Sequence, residues 1–468
     1  MASRAHQDPG NGNGPPVTQS DIPAPTGAVD LEAVAPGAWY AVIFLTLAAS
    51  LSTIDRQVLA MMIGPIRRDL LISDSQMGLL GGLAFTLLYS LATVPLAWIA
   101  DRGSRRAVIT GGMAFWSLMT ATCGIAQGFF ALFVARMGVG LGEAALGPAA
   151  YSMLSDLFPR RRLPAAVGVF AAAPLIGVGL ASLGGGQIMQ ALEHRPALVL
   201  PLIGTVKSWQ AMFLALGLPG LAMALVGRLT LREPARRGAA ELPAQAAFTL
   251  AGFVQFLNGR RMFLTLHFVA FIALSIQGWG LFFWIVEFLV RERGLPRARA
   301  GLIFGLMAFA FGLIGSIGSG RLAGLLQARG RADATLRLVL YSVIALAPLA
   351  IIMPLAPRAW QACALLAPIT FLMGWPSGLG ASALQFIAPN ALKGRIIAVY
   401  LLVVNVTSLT LGPWLGGMIS DHLFAGRSLG GSLALMAAVD YPVAIICLTL
   451  ALRPFRQALE AAAEPATT

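Results

Sequence analysis

The chain has 468 residues, 57% of them hydrophobic and only 11% charged, with a mean hydropathy of +0.77. Soluble globular proteins carry about 25% charged residues, so this composition excludes a soluble multidomain protein despite the length. The net charge of +13 raises a nucleic-acid reading, but the basic clusters sit in loops on one side of a series of apolar runs, which removes it.

Residues 1–36 are rich in Pro, Gly, Asn and Asp and are expected to form a disordered tail. They lack the basic stretch followed by a short apolar run that marks a cleaved signal peptide. Twelve apolar segments follow, near 38–63, 75–100, 105–127, 129–157, 163–192, 208–231, 262–290, 299–328, 333–356, 359–388, 394–423 and 430–452. Crossing a hydrocarbon core of roughly 30 Å takes about 20 predominantly apolar residues. The expected fold is therefore an all-α membrane protein of twelve transmembrane helices. The longer segments imply tilt or protrusion into water. With the N-terminus placed in the cytoplasm, the clusters Arg102/Arg105/Arg106, Arg160/Arg161/Arg162 and Arg232/Arg236/Arg237 all fall inside, which is the positive-inside bias. The C-terminal tail, 456–468, falls inside as well.

The first span places Asp55 deep, after about seventeen apolar residues and before LAMMIGPI. Such a carboxyl is either a structural partner to a nearby arginine or a proton-exchanging group, since burial and a neighbouring cation act on it in opposite directions. Arg56 points about 100° away from Asp55 on a helix, either toward a cavity or snorkelling to an interface. The turn after the second span carries Asp101, Arg102, Arg105 and Arg106. These form either a solvated helix end, where an ion pair contributes under about 1 kcal/mol, or a gate.

The fourth span reads FFALFVARMGVGLGEAALGPAAYSML and contains Arg136 and Glu143. A charge at the bilayer centre costs roughly 2.5–3.5 kcal/mol on insertion scales, so both are functional candidates by default. Their seven-residue spacing is about two helical turns, which returns them to one face with Gly140 and Gly147. They read either as a salt bridge locking this helix or as a switch in which Arg136 offers its fork to a phosphate or carboxylate. Asp156, at the end of this span beside Pro159, is expected to join the cytoplasmic face.

The apolar pattern stops near 232–260, separating a six-helix half at 37–231 from another at 261–455. Within this linker, 240–256 has an amphipathic face expected to lie at the membrane surface. PRRRLPAAVGVF (159–170) and PNALKGRIIAVY (389–400) match in pattern at an offset of 230, as tandem halves with a substrate cavity between them would. At that offset Arg136 corresponds to Leu366 and Glu143 to Met373. The charges therefore serve something that the second half does not do. Glu287 reads as an outer-end marker and His267 as a hydrogen-bonded packing residue or a proton relay, while Asp440 has no evident role. Phe85, Tyr89, Trp279, Trp284 and Trp375 are cavity or interface aromatics. Cys123, Cys363 and Cys447 are scattered in apolar segments, giving neither a disulfide framework nor a metal cluster. With only Lys207 and Lys393, neither after glycine, no phosphate-cradling Gly-Lys-Ser/Thr loop exists and ATP hydrolysis is not expected. No enzyme chemistry, cofactor or metal is expected.

The turn PLAWIADRGSRR resembles the signature of the major facilitator superfamily between its second and third helices, with Ala97 and Ser104 where glycine is usual. The later turn GRLAGLLQARGR has Gly324 where an acid would be expected, leaving Arg321, Arg329 or Arg331. LGPWLGG (411–417) resembles a glycine-proline motif of the same superfamily. TIDRQVLAMMIGPIRRDL, DRGSRR, FWSLMTATCG and RMGVGLGEAALGPAAYSMLSDLFP, in this order, resemble the Spinster family from about 38 to 455, densely in the first half and thinly in the second. The resemblance implies a secondary transporter, associated in animals with lysolipids and sphingosine 1-phosphate. It further implies a centre in which Asp55 and Glu143 couple protons and Arg136 senses substrate; beside it, Arg56, Phe85, Tyr89, Trp279 and Trp375 are expected as substrate contacts from their own positions. A cytoplasmic gate of Asp101, Arg102, Arg105, Arg106 and Asp156 completes the set. The expected partners are a small amphipathic substrate, protons and the bilayer, with the chain acting as a monomer in a bacterial inner membrane.

Overall fold

The computed structural model describes residues 34–159, 161–181, 197–200, 204–236, 250–389 and 392–463. Among these, eleven helices are long and apolar enough to cross a membrane. They are Ala38–Met61, Asp74–Arg102, Phe129–Leu157, Leu163–Leu180, Ser208–Thr230, Arg261–Arg291, Arg297–Ala328, Ala334–Leu355, Ala359–Ile387, Lys393–Leu423 and Leu429–Ala461. The remaining expected span is the helix Arg105–Cys123 of 19 residues, where Arg106 and the hydroxyls of Thr110, Ser117, Thr120 and Thr122 dilute the apolar character. It packs between the fourth and sixth spans. Among the described residues these twelve helices fall as six before and six after the 232–260 segment, each group packed mainly on itself. The end of the bundle carrying Gly37 and the residues near 456–463 is called the terminal end here, and the opposite one the far end.

Sequence signals place several boundaries. Ser73 caps the second span by accepting from the Gln76 backbone at 3.2 Å, while Gln76 Oε1 accepts from the Ser73 N–H at 2.9 Å. Ser104 caps the third span by accepting from the Ala107 N–H. A two-stranded hairpin, Ala197–Leu200 with Gly204–Lys207, sits between the fifth and sixth spans; the apolar pattern did not anticipate it. Lys207 at its end pairs with Asp69. The expected tail at 1–36 lies almost wholly outside the described residues, as does most of 240–256, of which a helix, Leu250–Gly259, is seen.

The halves grip each other over the far half of the bundle. Arg291 donates two hydrogen bonds to Asp74, at 2.8 and 3.0 Å, and Ser420 adds one at 2.8 Å. Reciprocally, Asp421 accepts from the Asp74 and Ser75 N–H groups at the start of the second span, where a helix N-terminus favours an anion. Glu287 is buried between Arg297, at 2.6 Å, and the Gly64 N–H, at 3.1 Å. It is thus a bridge between halves, more than the end marker the sequence suggested. Small residues allow the close approach: a Cβ at Gly78 would meet the Pro413 carbonyl, and one at Gly417 the Asp74 carbonyl. The hydrogen bond deepest from the far end is Thr86 to Thr410, at 2.8 Å. Among the described residues, no side-chain hydrogen bond or ion pair joins the halves between this level and the terminal end. The polar contacts that join the halves among the described residues are thus gathered toward the far end.

Candidate functional site

Thr86 follows Phe85, and Phe85 lies at the centre of the charged cluster. The first span delivers Asp55 and Arg56 as neighbours on a helix, so they reach different partners. Asp55 accepts from Arg136 at 2.5 Å and from Thr120 at 2.9 Å. Arg56 donates to Glu143 at 2.9 Å, and Ser52 donates to the same Glu143 oxygen at 2.6 Å. Arg56 also reaches Ser52 at 3.2 Å. Both guanidinium groups lie against the Phe85 ring, 5.1 Å away for Arg56 and 6.0 Å for Arg136. Tyr89 stacks on Phe85 at 5.2 Å.

This geometry corrects the pairing expected from the fourth span alone. Arg136 and Glu143 do share a face, but each is neutralised by the first span, giving Asp55–Arg136 and Arg56–Glu143. The two pairs differ in access. The side chains of Arg136 and Asp55 are 1% and 3% exposed, whereas Arg56 keeps 30% exposure beside a Glu143 at 1%. Arg56 therefore neither snorkels to an interface nor is sealed in; it is the open cation of the cluster. Glu143 uses one oxygen for both bonds, and Oε1 has no hydrogen-bond partner among the described residues. Gly140 permits the approach of the second span, because a Cβ there would meet the Phe85 carbonyl; Gly147 has nothing near it.

The remaining candidates divide. Trp279 packs against Phe282 and Trp375 against Phe371, within their own spans of the second half. Trp284 is buried and donates to the Pro413 carbonyl at 2.8 Å, which makes it a packing residue. His267 is buried among Phe263, Phe271 and Tyr400, in a packing position. Asp440 is partly buried, with Oδ2 unpartnered among the described residues.

At the terminal end, Arg105 is buried and bonds to Asp156 and, at 2.9 Å, to Glu233. Glu233 was not anticipated. It also accepts from Ser104 at 2.6 Å and from the N–H groups of Arg105 and Arg106, capping the third span. Burial alone would raise its pKa, but these hydrogen bonds outweigh it and hold the carboxyl below the usual range. Three residues on, Arg236 donates to the carbonyls of Ala100, Asp101 and Gly103, at the end of the second span. The linker start is thus a strap whose acid meets a helix N-terminus and whose base meets a helix C-terminus. Asp101, expected as the acid of this gate, is exposed and forms no ion pair among the described residues; Arg102 lies 4.0 Å over the Trp98 ring. In the second half, Asp333, nine residues after Gly324, binds Arg337 at 2.9 Å and Arg456 at 2.6 Å. The expected Arg321, Arg329 and Arg331 form no ion pair among the described residues.

Comparison with known proteins agrees with this architecture. Residues 45–413 match the family model described as Major Facilitator Superfamily. An MFS-type efflux pump of Mycolicibacterium smegmatis is 30% identical over 430 residues, covering 90% of this chain and 94% of that protein. A probable L-galactonate transporter of Escherichia coli is 27% identical over 304 residues, covering 62% and 63% respectively. The crystal structure of a bacterial homologue of the human lysosomal transporter Spinster, inward-facing and unoccupied, superposes with a TM-score of 0.76 at 24% identity, over 92% of this chain and 99% of that one. The chain belongs to the major facilitator superfamily and is a multi-pass membrane transporter, not an enzyme.

Proposed function

We propose that this transporter carries a small amphipathic anion together with protons, by alternating access, across a bacterial inner membrane with both termini cytoplasmic. The cargo has a carboxylate or phosphate head and an apolar body, as lysolipids and sphingoid phosphates do. The observation that carries the reading is the Arg56–Glu143 pair: a part-exposed cation held by a buried carboxylate, on the first half beside Phe85. An anionic head displaces Glu143 from Arg56. A lone buried carboxylate is costly, so the released Glu143 takes a proton. Anion and proton then favour each other's binding, as linkage requires. Asp55 and Arg136, sealed behind Phe85, hold the second proton-responsive pair. Phe85 and Tyr89 offer an apolar, cation-facing wall to the body of the cargo.

A second reading, proton-driven export of drug-like molecules, is favoured by the similarity to the mycobacterial efflux pump. Transport in proteoliposomes separates the two, with and without a pH gradient, on a panel of lysophospholipid, sphingosine 1-phosphate, galactonate and a cationic amphiphile. The proposal expects gradient-stimulated movement of an anion, lost in Arg56→Ala and uncoupled from pH in Glu143→Gln and Asp55→Asn. Unchanged proton dependence in both carboxyl variants would sink it, and movement of the cationic amphiphile alone would favour the second reading.

A further inference from the structure

A cavity of about 590 Å³ opens at the terminal end of the second half, remote from the charged cluster, lined by Arg331, Asp333, Arg337, Arg456, Leu459 and Glu460 among others. Its construction is unusual for a loop at a membrane surface. A single oxygen, Asp333 Oδ2, accepts from the Nε of both Arg337 and Arg456. Asp333 itself is buried, and its side chain is 8% exposed against 31% for Arg337 and 47% for Arg456. One carboxylate thus anchors two guanidinium groups by their Nε atoms, and Tyr341 is a further hydrogen-bond partner of Arg337. Burial would raise the Asp333 pKa, but the two arginines outweigh it and keep it ionised. Arg331 adds a third positive charge to the lining and Glu460 a second negative one, so the arginines are in excess by one.

We propose that this clamp binds the phosphate of an anionic phospholipid headgroup from the adjacent leaflet. Two guanidinium groups fixed on one carboxylate are preorganised for the fork geometry of a phosphate, so little side-chain entropy is lost on binding. The bilayer is favoured as the source over soluble phosphate by position. Asp333 immediately precedes the ninth span, Ala334–Leu355, and Arg337 lies one turn inside it. Tyr341, one further turn along the same face, is exposed, where an interfacial tyrosine meets lipid. Leu459 supplies an apolar wall beside the clamp. Juxtamembrane arginines facing an anionic leaflet strengthen lipid binding by roughly fivefold each.

The test is lipid retention by the intact transporter, purified from nanodiscs containing equal phosphatidylglycerol and phosphatidylcholine and read by native mass spectrometry. The wild type is expected to retain one phosphatidylglycerol in preference to phosphatidylcholine. R337Q/R456Q should lower that retention about thirtyfold. D333N, which keeps all three arginines but loosens the anchor of Arg337 and Arg456, should lower it less yet measurably. R453Q removes an exposed arginine outside the cavity and should leave retention within about twofold. Millimolar inorganic phosphate should not displace the lipid. Equal retention of both lipids, equal loss in R453Q and R337Q/R456Q, or displacement by inorganic phosphate would each overturn the assignment. Thermal melting of each variant separates a lost site from a misfolded one, and the D333N arm still decides if the double variant does not fold.

Discussion

Arg291→Gln is the sharpest perturbation of the far-end closure. Arg291 makes two charged hydrogen bonds to the buried Asp74, at 2.8 and 3.0 Å. Hydrogen bonds to charged groups contribute about 1.5–3 kcal/mol net. The substitution leaves Asp74 with Ser420 at 2.8 Å and Arg67 at 3.1 Å, so only part of the cost of an unpaired buried carboxylate appears. A net weakening of about 2 kcal/mol is a shift of roughly thirtyfold between far-closed and far-open states. Leu71 and Leu423 are exposed at the far end on opposite halves and suit spin labels once Cys123, Cys363 and Cys447 are replaced. In nanodiscs, double electron–electron resonance should show one short distance for the wild type and a second, longer population for Arg291→Gln. Arg293 bonds within the second half, to Glu292 and Pro354, and Arg293→Gln should keep the wild-type distribution. An unchanged distribution in Arg291→Gln, or an equal change in Arg293→Gln, would refute the latch.

Other outcomes follow from the same contacts. Gly140→Ala drives a methyl into the Phe85 carbonyl and should destabilise the protein by about 1–3 kcal/mol in thermal unfolding, whereas Gly147→Ala, with open space around it, should change it by less than about 0.5 kcal/mol. Thr120→Val strips Asp55 of one hydrogen bond and should cost about 1–3 kcal/mol, read by the same melt. Glu233 has a depressed pKa, so the strap's contribution is fully present above the ordinary glutamate value of about 4.3 and is lost as pH falls through the lower folded value. A spin label at the exposed Ala235 should therefore stay immobile from neutral pH to about 4.5 and loosen only below it, while in Glu233→Gln it should be mobile throughout.

The sequence exposes the spans because lipid demands long apolar runs, and it exposes Asp55, Arg56, Arg136 and Glu143 because charge in such runs is rare. It does not reveal which charge meets which. The seven-residue spacing of Arg136 and Glu143 describes one helix, but their partners come from a span more than eighty residues away. Helix periodicity carries no information about that crossing. Glu233, Asp333 and Asp74 are harder still, since acids in turns look like ordinary solvated loop residues. Only Asp74 had a local clue, its place inside the Ser73–Gln76 capping box. The motif turn at Gly324 carries no acid, and the Asp333 pair with Arg337 and Arg456 is made by the fold rather than by the motif.

The central claim is that an anion and a proton meet at Arg56 and Glu143. Its most direct measurement is proton exchange on binding, with the purified transporter in weakly buffered solution titrated with a transported anion at pH 7. Binding should withdraw protons from solution in the wild type, and Glu143→Gln should bind with markedly smaller uptake. Binding without proton uptake, or uptake that survives undiminished in Glu143→Gln, would contradict the account.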